Sequence, residues 1–428
     1  MKRLVICYDG TWNAVQKPEE VTNIVRVAQA VRSVSSDNVP QIVYYNAGVG
    51  SGGRLDRLLG GVFGAGLRDN VKRGLAFLSL NWDARDDTHP EADEIYIFGF
   101  SRGAYTARAL AGVIKALGGI PKQSKFEELE NIWTYYRTRD AKFAKDSKDW
   151  IYPMVKDGKP LIKCLGVWDT VGSYGIPSGL GLSGFALSAT AWTHGFHDNE
   201  LGDHVEVGLH AMAIDERRRA FPPTMWVSDK PDPRGDRVEQ VWFAGVHSNV
   251  GGGYAHTGLS DLALIWMMAR VSDLTGLEFD ERYIGEHFWP CAACSLYTSS
   301  RGWILSSLRP AVRQVLSAKE TLVAIERGGK KENVRMKPIN EKVHWSVAER
   351  RGRLAIVDDT KYRTYAPRNL PKSPVEVKHT KLEDHFIHLC RKYNKNRMQK
   401  CALFRLPEKK REVRRLRRFR DAWEMPQQ

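Results

Sequence analysis

The stretch from Ile95 to Leu117 constrains this chain more than any other. Ile95-Tyr96-Ile97-Phe98 is a short continuous apolar run, the mark of a strand buried on both faces. Tyr105, Ala109, Leu110, Val113, Ile114 and Leu117 then recur at helical spacing. Only a few residues around Ser101 separate the two patterns, so strand must turn abruptly into helix. A buried strand feeding straight into a helix is the repeating step of a parallel sheet covered on both faces.

Four further runs repeat the pattern: Leu4–Tyr8, Gln41–Tyr45, Leu161–Trp168 and Val238–Val246, each stopped by polar or glycine-rich residues. Helical spacing is read between them over Val21–Ser33, Leu67–Trp82 and Ser260–Leu274. The expected class is α/β, a mostly parallel sheet with helices on both faces. Ligands bind such sheets at the carboxyl ends of the strands. Asp9, Ser101, Asp169 and His247 all fall at that edge.

Gly99-Phe100-Ser101-Arg102-Gly103 is a Gly-x-Ser-x-Gly pattern between strand and helix, the setting of a nucleophile elbow. Ser101 would project its hydroxyl into a cleft, with Gly99 and Gly103 relieving contacts on either side. A serine hydroxyl needs a base, and the base works best when a carboxylate fixes its tautomer. In the chain order serine, acid, histidine, the candidates are Asp169, ending the strand Cys164–Trp168, and His247, entering a glycine-rich turn. His210 reads as a core or supporting residue in a strand-like run, and His194, His197 and His204 lie in an insertion. Asp215 and Glu216 are the alternative acids, but Arg217 and Arg218 beside them suggest an ion-paired network. The Arg102 N–H is one expected oxyanion donor, and the Gly10 or Thr11 amide the other. Asp9 either caps that loop or takes a direct part. The glycine loop Gly48–Gly53 lacks the Gly-Lys-Ser/Thr ending of a nucleotide cradle. No cofactor and no metal is expected; Cys291 and Cys294, a lone Cys-x-x-Cys pair, read as structural or incidental.

The ordered series Tyr8-Asp9-Gly10-Thr11-Trp12-Asn13, Gly48-Val49-Gly50, Gly99–Ala104, Val167–Gly172, Ala213–Arg218 and Trp242–Tyr254 resembles the catalytic domain of the type VI secretion lipase effectors, within a wider α/β-hydrolase family. The resemblance implies a serine hydrolase with Ser101, Asp169 and His247 as its triad, and a phospholipase activity on membrane glycerophospholipids. Asn249 departs from the family pattern, which has aspartate there, so Asp169 alone is expected to orient His247. Val343–Arg350 and Tyr365–Leu370 resemble a closing element of longer members.

Three segments follow. Residues 1–278 are expected to form the catalytic domain, with 173–203 a candidate lid insertion; 279–390 form an extension packed on it, with Arg309–Ile325 read as a helix; 391–428 form a basic amphipathic tail. The net charge of +15 resides largely in that tail, where Arg391–Arg420 holds fourteen Lys or Arg against two Glu. Val413, Leu416, Phe419 and Trp423 there share one helical face. Such a tail suits an anionic membrane surface, an acidic partner or a solvated face on the body, and nucleic acid less well. No uncharged run is apolar enough to span a bilayer, Val171–Trp192 being diluted by glycine and serine. The start is too short for a secretory signal. The expected location is cytoplasmic, with signal-independent export or peripheral membrane attachment as the routes outward. The reading is an esterase acting on a lipid or other ester; its rival is a catalytically weak membrane- or partner-binding protein on the same fold.

Overall fold

The computed structural model describes residues 1–10, 20–48, 61–84, 92–153, 161–171, 200–218, 221–229, 237–298, 311–317, 319–327, 330–359 and 361–394. The candidate lid is outside them except for its last few residues, as is the basic tail beyond residue 394.

Eight parallel strands form the central sheet: β1 (Arg3–Tyr8), β2 (Gln41–Asn46), β3 (Glu94–Phe100), β4 (Ile162–Trp168), β5 (Val205–Ala213), β6 (Val238–Phe243), β7 (Glu341–His344) and β8 (Glu376–Val377). Their order across the sheet is β8-β7-β6-β5-β4-β3-β1-β2. After β2 the chain returns to the other side of β1 to form β3. In α/β sheets such a reversal is where ligands bind, beyond the carboxyl ends of the strands, here β1 and β3.

Alternate residues of each strand feed opposite layers, as the two-residue repeat requires. Val5 and Cys7 of β1 face a core shared with the helices α1 (Asn23–Ala30), α5 (Gly258–Thr275) and α6 (Lys381–Tyr393). Leu4, Ile6 and Tyr8 face the opposite core, with α2 (Gly61–Asn81) and α3 (Arg102–Leu117). The short helix α4 (His247–Gly251) sits at the carboxyl end of β6. Leu259 to Ala269 of α5 are buried without a break, so this helix has no solvent face over that stretch.

The strands read from sequence are present, though β6 ends at Phe243 rather than Val246. Here Gly245 takes a positive φ of 113° and turns the chain into α4. The helix expected over Arg309–Ile325 is absent from the described part: residues 311–317 are irregular, and Thr321–Arg327 is a strand paired antiparallel with Lys330–Pro338. The β-branched Val323 and Ile325 in Leu322-Val323-Ala324-Ile325 suit a strand. The segment 279–390 supplies β7, which pairs with β6, and β8, which pairs with β7, and α6 buries Phe386, Ile387 and Cys390 in the same core as β1.

Candidate active site

Ser101 is held in the backbone conformation expected of a strained turn, with φ 58° and ψ −120°. A non-glycine residue with positive φ costs roughly 1–3 kcal/mol and persists only where its surroundings enforce it. Here they do. The Ser101 N–H donates to Trp168 O at 3.0 Å, extending the β3–β4 ladder one residue past the strand. A Cβ on Gly99 would lie 2.5 Å from Gly103 O, and one on Gly103 would lie 2.2 Å from Tyr8 O. Only glycine therefore lets α3 start this close to β3 and β1. The Ser101 side chain makes no capping bond to the helix, and the first intrahelical bond is Tyr105 N–H to Ser101 O. The amides of Arg102 to Ala104 precede that bond, at the positive end of the helix dipole. Burial pulls the Arg102 guanidinium down to about 10.

Asp169 follows β4 as Ser101 follows β3, and also has positive φ, 41°. Its Oδ2 lies 2.6 Å from His247 Nδ1. Its Oδ1 accepts from the Ala213 N–H at 2.9 Å. Arg313 adds a two-pronged contact, Nη1 to Oδ1 at 2.5 Å and Nη2 to Oδ2 at 3.0 Å. Burial would raise the carboxyl, but Arg313 and His247 together hold it well below the usual carboxylate range. His247 is lowered: burial outweighs its pairing with Asp169. The imidazole is thus a neutral base near pH 7. Its ring lies between Phe100, at 4.6 Å, and the edge of Phe221, at 5.0 Å. Gly251 presses α4 onto the Phe100 ring, where a Cβ would come within 2.0 Å, so the histidine's helix abuts the residue before Ser101.

The remaining candidates support this arrangement. Glu216 accepts the His247 N–H at 3.2 Å and pairs with Arg218, while Asp215 accepts from Gly245 N–H at 2.7 Å and from Tyr365 Oη at 2.9 Å. Both acids pin the turn that presents His247. His210 is fully buried, its Nε2 accepting from Thr170 N–H at 3.2 Å, and burial drops it to about 3, so it stays neutral. His204 is buried on Ala111 O, away from this edge, and His194 and His197 lie outside the described residues. Asn249 Oδ1 accepts from Val246 and Tyr297 N–H while its Nδ2 donates to Ser295 O. A carboxylate could not make that last bond.

Gly10 lies beside the turn: a Cβ there would stand 3.5 Å from the Phe100 ring and from Ser101 Cβ. Its N–H donates to Asp9 Oδ1 at 2.6 Å. Asp9 Oδ2 accepts from Thr22 Oγ1 and Tyr45 Oη, both at 2.8 Å. Asp9 therefore braces the loop after β1, and Thr11 falls outside the described residues. Among the described residues no cluster of His, Cys, Asp or Glu is arranged to hold a metal, and Cys291 and Cys294 are buried free thiols. No helix of the described residues is long and apolar enough to cross a membrane. Arg313, which meets both oxygens of Asp169, is the neighbour of this cluster that no sequence pattern marks.

The profile of the type VI secretion system phospholipase effector Tle1-like catalytic domain matches residues 2–270. The uncharacterized protein YEL023C of Saccharomyces cerevisiae is 26% identical over 242 residues, 51% of this chain and 32% of its own length. The chain thus spans about a third of that curated relative. Two solved structures are similar: an uncharacterized protein from Pseudomonas aeruginosa (19% identity, TM-score 0.40, 65% of this chain and 46% of that one) and the Tle1 effector bound to the VgrG spike of the type 6 secretion system (18%, 0.35, 60% and 52%).

Proposed function

Because the chain belongs, through residues 2–270, to the Tle1-like phospholipase effector family of type VI secretion, we propose that it is a serine esterase cleaving carboxylic esters of lipids. The observation that carries this reading is the 2.6 Å contact of Asp169 with a buried His247 whose ring packs on Phe100, the residue before a serine held at φ 58°. Ser101 Oγ attacks the ester carbonyl while His247 Nε2 takes its proton. Asp169 orients the imidazole and stabilises the cation that forms. The oxyanion is met by the Arg102 N–H at the start of α3; of the two amides that the sequence offers for the second donor, Gly10 and Thr11, the Gly10 N–H is engaged by Asp9. Collapse expels the alcohol, protonated by His247, and leaves an acyl-enzyme. Water, activated by the same histidine, then releases the acid and restores Ser101.

The lipid substrate follows from the family, and a glycerophospholipid is the first to try. The basic residues of 391–428, read from sequence alone, would carry the protein to an anionic membrane surface. Mixed phospholipid vesicles and a p-nitrophenyl ester, each with wild type and Ser101→Ala, test the reading. Wild type should release fatty acid and nitrophenol, and the variant should release neither. Equal turnover by both would remove Ser101 as the nucleophile, and none by either would leave a binding protein on a hydrolase fold. Vesicle flotation with and without anionic lipid, before and after removal of residues beyond 405, tests the tail.

A further inference from the structure

Asp169 is gripped by a residue from outside the family match. Arg313 is 6% exposed and lies on the segment 311–317, far along the chain from the residues it touches. Its two Nη atoms bridge both oxygens of Asp169, and each also donates to a backbone carbonyl, Nη1 to Ala213 O at 2.8 Å and Nη2 to Phe221 O at 2.8 Å. The segment is itself stitched down. Asn369 Nδ2 donates both to Arg313 O and to Ile214 O at 3.0 Å, and the Ala311 N–H donates to Arg217 O at 2.9 Å. The Leu316 N–H donates to Glu341 Oε2 on β7 at 3.1 Å.

We infer that Arg313 is a positioning residue whose guanidinium fixes the Asp169 carboxylate against His247, so that the extension beyond residue 270 completes the active site. This inference rests on the esterase reading above. A planar fork meeting a carboxylate along both oxygens sets orientation as well as charge. With Arg313 present, the buried cluster is neutral when His247 is neutral. The other charged or titratable neighbours do not replace it: Glu216 and Arg218, near His247, pair with each other, and His210 on β5 is neutral. Without the guanidinium, a lone buried carboxylate beside His247 would draw a proton onto the pair. A protonated pair cannot accept the proton of Ser101.

The test compares full-length wild type, Arg313→Met and Arg313→Lys by the pH dependence of kcat/KM for a soluble ester. Arg313→Met should move the acid midpoint up by about one unit or more, cutting turnover below that midpoint about tenfold. Arg313→Lys keeps the charge and should return the midpoint towards wild type. An unchanged midpoint with lower amplitude in Arg313→Met, or identical profiles for the Met and Lys variants, would assign Arg313 to structure alone and overturn the inference. Should Arg313→Met fail to melt cooperatively, Arg313→Gln, which retains a donor for the backbone carbonyls, carries the same expected shift. Ser101→Ala is run in parallel. If it retains turnover the esterase reading fails; if it loses turnover while the Arg313 variants keep the wild-type midpoint, only the inference about Arg313 falls.

Discussion

Gly103→Ala probes the turn on which the whole account depends. A methyl group at this position would sit 2.2 Å from Tyr8 O and 2.6 Å from Asp9 O, both backbone atoms at the end of a central strand. Neither can swing aside as a side chain could. To reach ordinary contact, the start of α3 must move from β1 by about 1 Å, a displacement that at a reacting centre costs roughly a hundredfold in rate. Forcing a methyl into a packed core costs about 1–3 kcal/mol in stability. Urea unfolding and initial ester turnover at fixed pH measure the two effects. The variant should fold, lose stability in that range, and lose activity by more than the change in folded fraction explains. Wild-type turnover with wild-type stability would refute the claim that backbone proximity at Gly103 aims Ser101.

Other outcomes are expected from the same geometry. Asp169→Asn should lower kcat by roughly 10⁴-fold, as loss of an orienting carboxylate does, and should cost about 3–5 kcal/mol by leaving the Arg313 charge buried and uncompensated; steady-state kinetics and denaturant melts read both. Because burial depresses His247, the neutral imidazole needed as base persists below its ordinary value of 6.5, so the acid limb of the wild-type rate profile should lie under that pH. Asn249→Asp removes the donor to Ser295 O and should cost about 1–3 kcal/mol in a thermal or urea melt, with turnover close to wild type per folded molecule. Tyr45→Phe leaves Asp9 short of one donor and, if the proposed oxyanion donor lies on the loop that Asp9 braces, should lower kcat with little change in KM.

Much of this site was legible because it lies at strand ends. Apolar runs mark β1, β3, β4 and β6, and the residue that stops each run is one of the candidates or its neighbour. His210 was readable as a buried supporting residue because it interrupts an apolar run without a turn beside it. Arg313 was not readable, since its partner lies 144 positions earlier in the chain and no local pattern announces a contact of that range. β7 and β8 have four and two residues, too few for any periodicity to register. Where sequence spacing suggests a helix over Arg309–Ile325, the β-branched Thr321, Val323 and Ile325 instead favour the extended backbone of a paired strand. Asn249 looked like a lost carboxylate from sequence, whereas its amide closes the turn that carries His247.

Covalent trapping reports on Ser101 as the proposed nucleophile activated by His247. The protein is incubated with a fluorophosphonate at neutral pH, digested, and the modified peptide located by mass spectrometry. One adduct on Ser101 is expected, absent in Ser101→Ala and formed far more slowly in His247→Ala. Labelling of another residue, or equal labelling of wild type and Ser101→Ala, would contradict the account.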